Sequence, residues 1–141
     1  MRVWVEAEVK PSEDPSKVER AVRNLFPSLP LERVEGKVRG GSEDPGVLSH
    51  LRDLLRLQAI RDSSRNCLLK GRGEGRLEFW LNKQAAFVGK VSFTEGEAPL
   101  GPIRVLIETK DTELVLDYLA PRTKEGRALR EVSLEEVRKG A

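Results

Sequence analysis

The chain has 141 residues, a net charge of +2, and 34% charged against 38% hydrophobic residues. This length supports one domain with one real core, and the composition excludes disorder. A single cysteine and a single histidine exclude an intramolecular disulfide, a cysteine-built zinc cage and a histidine cluster, so no structural transition metal is expected.

Arg2 to Lys10 alternates strictly, with Val3, Val5, Ala7 and Val9 on one side and Trp4, Glu6 and Glu8 on the other, which predicts a half-buried strand. This stretch alternates instead of forming the basic-then-apolar pattern of a signal sequence, and there is no run of about 18 apolar residues that could span a bilayer, so a soluble cytoplasmic protein is expected. Asp14-Pro15 supplies a cap and a first-turn proline for a helix carrying Val18, Ala21, Val22 and Leu25, ending before Pro27. Leu31 to Arg39 reads as one irregular edge strand with Gly36 inside, ended by Gly40-Gly41. A second helix begins near Ser42 to Pro45 and carries a broad apolar face through Leu57.

Ile60 to Lys70 predicts a further helix, with Arg61 and Arg65 four residues apart and projecting together. Gly71, Gly73 and Gly75 interrupt the backbone, and Leu77 to Leu81 predicts a strand. Asn82 caps one helical turn over Lys83 to Val88, released by Gly89 into a short strand, Lys90 to Phe93. Pro99 to Pro102 reads as a rigid turn before a central strand, Ile103 to Thr109. A helix follows from Asp111 or Thr112 and ends at Pro121. Ser133 and Glu136 form a capping-box pattern for a short last helix. This order fits an α+β domain with a mostly antiparallel sheet covered by helices better than a regular parallel alternation. The domain is expected over 1–126, with 127–141 an appendage.

Charge is unevenly spread. Residues 61–90 hold seven basic and three acidic side chains, whereas 91–121 hold two and six. The glycines of the basic stretch are not a dinucleotide loop, because Arg76 stands where the third glycine belongs. Nor is Gly89-Lys90 the end of a Walker loop, since Gln84 replaces its first glycine and Val91 its magnesium-binding hydroxyl. His50 has no nucleophile placed by motif around it, Cys67 sits on an apolar helix side, and Glu6 with Glu8 reads as solvated strand charge. No catalytic residue is assigned. The cluster with a coherent chemical use is cationic and amidic: Arg61, Arg65, Lys83 and Lys90 for phosphate, Asn82 and Gln84 for bases or 2′-hydroxyls. A merely solvated basic face is the competing reading, and on charge alone it is slightly ahead.

The segments Ile60-Arg61-Asp62-Ser63-Ser64-Arg65, Leu81-Asn82-Lys83-Gln84-Ala85-Ala86 with Gly89-Lys90-Val91, Pro99-Leu100-Gly101-Pro102-Ile103, and Leu119-Ala120-Pro121-Arg122-Thr123 with Gly126 resemble an archaeal family of small proteins. That family is grouped with RNA-binding domains whose fold is similar to a large-subunit ribosomal protein contacting the smallest ribosomal RNA. The resemblance implies a ribosomal-protein-like α+β fold, an RNA partner, a homodimer and no cofactor. Two further readings stay open: a structural or protein-interaction module dimerising through the Val47 to Leu57 helix, and a small-ligand enzyme using the Asn82 to Lys90 turn as an anion cradle.

Overall fold

The computed structural model describes residues 1–96 and 101–141. Along the chain run β1 (Arg2–Glu8), α1 (Pro15–Leu25), β2 (Leu31–Val34), β3 (Lys37–Ser42), a 3-10 turn (Pro45–Leu48), α2 (Ser49–Leu57), α3 (Arg61–Lys70), β4 (Arg72–Gly73) and β5 (Arg76–Leu81). They are followed by α4 (Lys83–Phe87), β6 (Phe93–Thr94), β7 (Ile103–Glu108), α5 (Thr112–Leu119), β8 (Thr123–Lys124), β9 (Arg127–Ala128) and α6 (Leu134–Gly140). The main sheet has the order β2-β3-β1-β7-β5-β4, with β6 added to β5 and every pairing antiparallel. β8 and β9 form a separate hairpin. The fold is α+β, as expected.

The two-residue alternation of the strands decides which side of the sheet is buried. Val3, Val5 and Ala7 of β1 lie opposite Ile107, Val105 and Ile103 of β7, which in turn lie opposite Leu77, Phe79 and Leu81 of β5. All nine are buried and form the floor on which the helices pack. β7 therefore occupies the centre that its alternation predicts. α1 starts where Asp14 accepts a hydrogen bond from the Ser16 amide, and it buries Val18, Ala21, Val22 and Leu25. In α5 the buried set is Leu114, Val115, Leu116, Tyr118 and Leu119, so that helix lies within the core and not on its surface.

Leu31 to Arg39 is a hairpin, β2 and β3, and not one strand. Gly36, at φ 75°, makes its turn. β3 continues through Gly40 and Gly41 instead of stopping there, because these glycines serve close approach. A Cβ on Gly41 would lie 2.7 Å from the Trp4 ring, and one on Gly40 would lie 2.2 Å from the Pro30 carbonyl oxygen. The second helix opens with the 3-10 turn capped by Asp44, then buries Leu51 and Leu55 but leaves Leu57 74% exposed. Its apolar surface is narrower than the sequence implies. The short strand expected at Lys90 is delayed to Phe93, since the Val91 backbone is taken by a side chain described below. Residues 97–100, with Pro99 and Leu100 of the expected Pro99 to Pro102 turn, lie outside the described residues.

Residues 127–141 contain β9 and α6. Val132 and Val137 are buried in the common core, and α6 packs on α5 and on the 3-10 turn. Its start is the expected capping box, the Ser133 hydroxyl and the Glu136 carboxylate each accepting the other residue's amide. Among the described residues no helix is long and apolar enough to cross a membrane, and no group of three His, Cys, Asp or Glu side chains is placed to hold a metal.

Candidate nucleic-acid interface

α3 begins after Ala59, whose left-handed φ of 56° turns the chain out of α2, and its first turns face the stretch that follows α5. Arg61 Nη2 donates to the Gly126 carbonyl at 3.0 Å. Asp62 accepts from both the amide and the hydroxyl of Thr123. These bonds, the hydroxyl first, hold the Asp62 carboxyl below its ordinary value. Arg65 is only 4% exposed, and its guanidinium meets Glu113 and Asp117 at 2.8 Å each and the Ala120 carbonyl at 3.1 Å. Arg61 and Arg65 do project together, but onto the chain itself. Their carbonyl and carboxylate acceptors lie up to 65 residues away in sequence, beyond what local spacing reveals.

The start of α4 is similarly committed. Asn82 Oδ1 accepts the Ala85 amide at 2.8 Å as the helix cap. Lys83 is 7% exposed, its ammonium donating to the Glu8 carbonyl at 2.7 Å and to Glu13 at 3.0 Å. It ties α4 to the end of β1. Two residues passed over in the sequence complete this corner. Asn24 of α1 donates to the carbonyls of Ala86 and Phe87 at 3.0 Å each, closing the end of α4. The Gln58 side chain donates to the Val91 carbonyl and accepts the Val91 amide, at 3.0 and 2.8 Å, as a neighbouring strand would. Each is a lone polar residue near a helix end, a pattern shared with any solvated amide. Of the six predicted contacts, Gln84 and Lys90 are exposed and Arg61 is partly so. Arg65, Asn82 and Lys83 hold the fold.

The exposed cations differ in how they are partnered. The open side of the sheet carries Trp4, Trp80 and Leu106 among charges that pair across strands, Arg39 with Glu32, Lys37 with Glu6 and Arg104 with Glu78, and Arg2 pairs with Glu43 just past β3. A shallow groove of about 640 Å³ lies there, beside Trp4 and between Arg39 and Arg104. It offers an aromatic surface with little net potential. Lys17 and Arg20 of α1, by contrast, stand beside Gln84 and Phe87 on the packed pair α1 and α4, and Lys90 follows α4, its amide donating to the Ala85 carbonyl. The Arg20 guanidinium lies 5.3 Å from the Phe87 ring centre. The nearby carboxylates are already used, Glu13 by Lys83 and Asp14 as the α1 cap. Lys17, Arg20 and Lys90 thus have no acidic partner among the described residues.

Comparison with known proteins gives one consistent answer. The sequence model of a family described as RNA binding matches residues 2–109. The chain is 44% identical over 133 residues to a UPF0201 protein of Metallosphaera sedula, covering 91% of this chain and 93% of that one. It is 43% identical over 128 residues to a UPF0201 protein of Thermococcus onnurineus, covering 88% and 94%. The crystal structure of the UPF0201 protein from Methanococcus jannaschii superposes with a TM-score of 0.78 at 36% identity, over 92% of this chain and all of that one. The chain belongs to this archaeal UPF0201 group and to the RNA-binding family whose model it matches.

Proposed function

We propose that the protein binds structured RNA without catalysis, through the ridge formed by α1 and α4, with Lys17, Arg20 and Lys90 contacting phosphates and Gln84 reaching a base edge or a 2′-hydroxyl. The observation that carries this reading is the set of unpartnered cations on that ridge, beside the exposed Gln84 and the Phe87 ring, where the nearby carboxylates Glu13 and Asp14 are already engaged. A cation already held by a carboxylate must lose that bond to gain a phosphate, whereas an unpartnered one exchanges only water and counterions. Family membership supports the class of ligand, and the likeness to a ribosomal protein implied by the sequence points toward folded RNA in preference to an unstructured strand. Arg61 belongs at the border of the surface, because Gln58 stitches the Val91 backbone, next to Lys90, to the residues just before α3.

The test is titration of a labelled RNA stem–loop with the wild type and with the Lys17→Glu, Arg20→Glu, Lys90→Glu variant over a range of salt. Wild-type affinity is expected to fall steeply with salt. The variant should lose on the order of a hundredfold at low salt and show a shallower log–log slope, by roughly 0.7 to 0.9 for each phosphate contact removed. Unchanged binding by the variant overturns the surface. A wild type with no measurable affinity for RNA overturns the function.

A further inference from the structure

Residues 122–130 lie beyond the matched family residues 2–109 and concentrate charge of one sign: Arg122, Lys124, Arg127 and Arg130 against Glu125 alone. β8 and β9 close on a two-residue turn, Glu125-Gly126, with left-handed φ values of 54° and 78°, the twist that a tight hairpin requires. In its register Thr123 lies opposite Ala128, and Lys124 lies opposite Arg127. Thr123 is turned to the body, where Asp62 holds it, and Arg61 holds the turn at Gly126. The alternation then directs Lys124 and Arg127 away from the body, and both are exposed.

Two cations directly across a strand pair repel each other and weaken the hairpin that carries them. Neither has an acidic partner among the described residues, whereas Arg130, next along, is held by Asp117 at 2.7 Å. A repulsive pair on a ribbon pinned at two points is a preorganised receptor for an anion set between the two groups. The ammonium gives a point charge and the guanidinium a fork, both suited to phosphate oxygens. The tip is open on all sides and would hold a small free anion poorly. A polyanion gains counterion release there and is held by other contacts as well.

We propose that the β8–β9 hairpin is a phosphate grip for the bound RNA, Lys124 and Arg127 closing on one backbone phosphate while Asp62 and Arg61 act as positioning residues. The proposal rests on the RNA reading above, and it extends the interface past the family region, from the ridge across the start of α3. The experiment titrates the labelled RNA stem–loop with the full chain and two variants over a salt series, with melting temperature as a check on folding. Lys124→Gln with Arg127→Gln is expected to weaken binding about tenfold at low salt and to reduce the log–log salt slope by about one contact, with the melting temperature equal or raised. Glu125→Gln, which removes the lone carboxylate of the tip, should strengthen binding. If the wild type binds and neither variant changes affinity or slope, the grip is wrong and the RNA reading stands. If the wild type does not bind RNA, both fall.

Discussion

Arg65 and Lys90 are both cations in the basic stretch, yet the fold gives them opposite tasks. Removing Arg65 takes the buried partner from Asp117 and Glu113, which keep only the exposed Arg130 and Arg72, and leaves the Ala120 carbonyl without its donor. Arg65→Ala is therefore expected to lower unfolding stability by about 3 kcal/mol, at the low end for a broken buried pair because Glu113 is 44% exposed. Guanidinium denaturation with an unchanged m-value would establish this. Lys90→Glu should leave the denaturation midpoint in place and act on RNA affinity alone. Lys83→Met, which keeps the stem but deletes the ammonium, should resemble Arg65→Ala, since Glu13 loses its partner while only 15% exposed. Reversed outcomes, with Lys90 stabilising and Arg65 neutral, would contradict the division drawn here. The sequence shows which side chains carry charge; it does not show which are paired, because the Arg65 partners lie about 50 residues along the chain. Asn82 was legible as a cap because a cap and its amide are three residues apart.

At the scale of elements, the strands and helices with clear periodicity were readable from sequence because alternation and cap residues act locally. The glycines were not. Gly40-Gly41 looks like a strand end, and only the Trp4 ring packed on Gly41 explains why a strand passes through it. Gly71 makes the same point more sharply: a Cβ there would stand 1.6 Å from the Glu78 carbonyl oxygen, at the bridge where the Glu78 amide bonds Gly71. Gly71→Ala is expected to cost about 3 kcal/mol or more through forced separation of β5 from the end of α3, measured as a lowered denaturation midpoint. A change below the error of the measurement would show that this contact is loose. The β8–β9 hairpin carries a pH dependence of known sign. The Thr123 bonds depress the Asp62 carboxyl, so the anchor is complete above the ordinary aspartate range and is lost as the pH falls through the lower folded value. Amides of residues 123–128 should lose their hydrogen-exchange protection in acid before the core strands do, and Asp62→Asn should abolish that early step.

For the whole molecule, the charge-balanced sheet side and the unpartnered helical ridge make a dipolar surface from a chain of net charge only +2. Composition could not reveal this, because pairing, not counting, decides which charges remain available. Raising salt should therefore weaken RNA binding strongly while moving thermal stability little, as exposed ion pairs contribute under about 1 kcal/mol each. Parallel losses of both would point to salt-driven unfolding instead. The side chain of Gln58, clasping both backbone polar groups of Val91, has a mechanical meaning in this arrangement. It fastens the residues after α4 to the end of α2, while the hairpin is held at the start of α3, so the two proposed RNA contacts are joined through the short turn at Ala59. On the proposed interface, RNA bridging both contacts is expected to slow hydrogen exchange of the Ala59 and Ile60 amides, which already bond the Arg56 and Leu55 carbonyls.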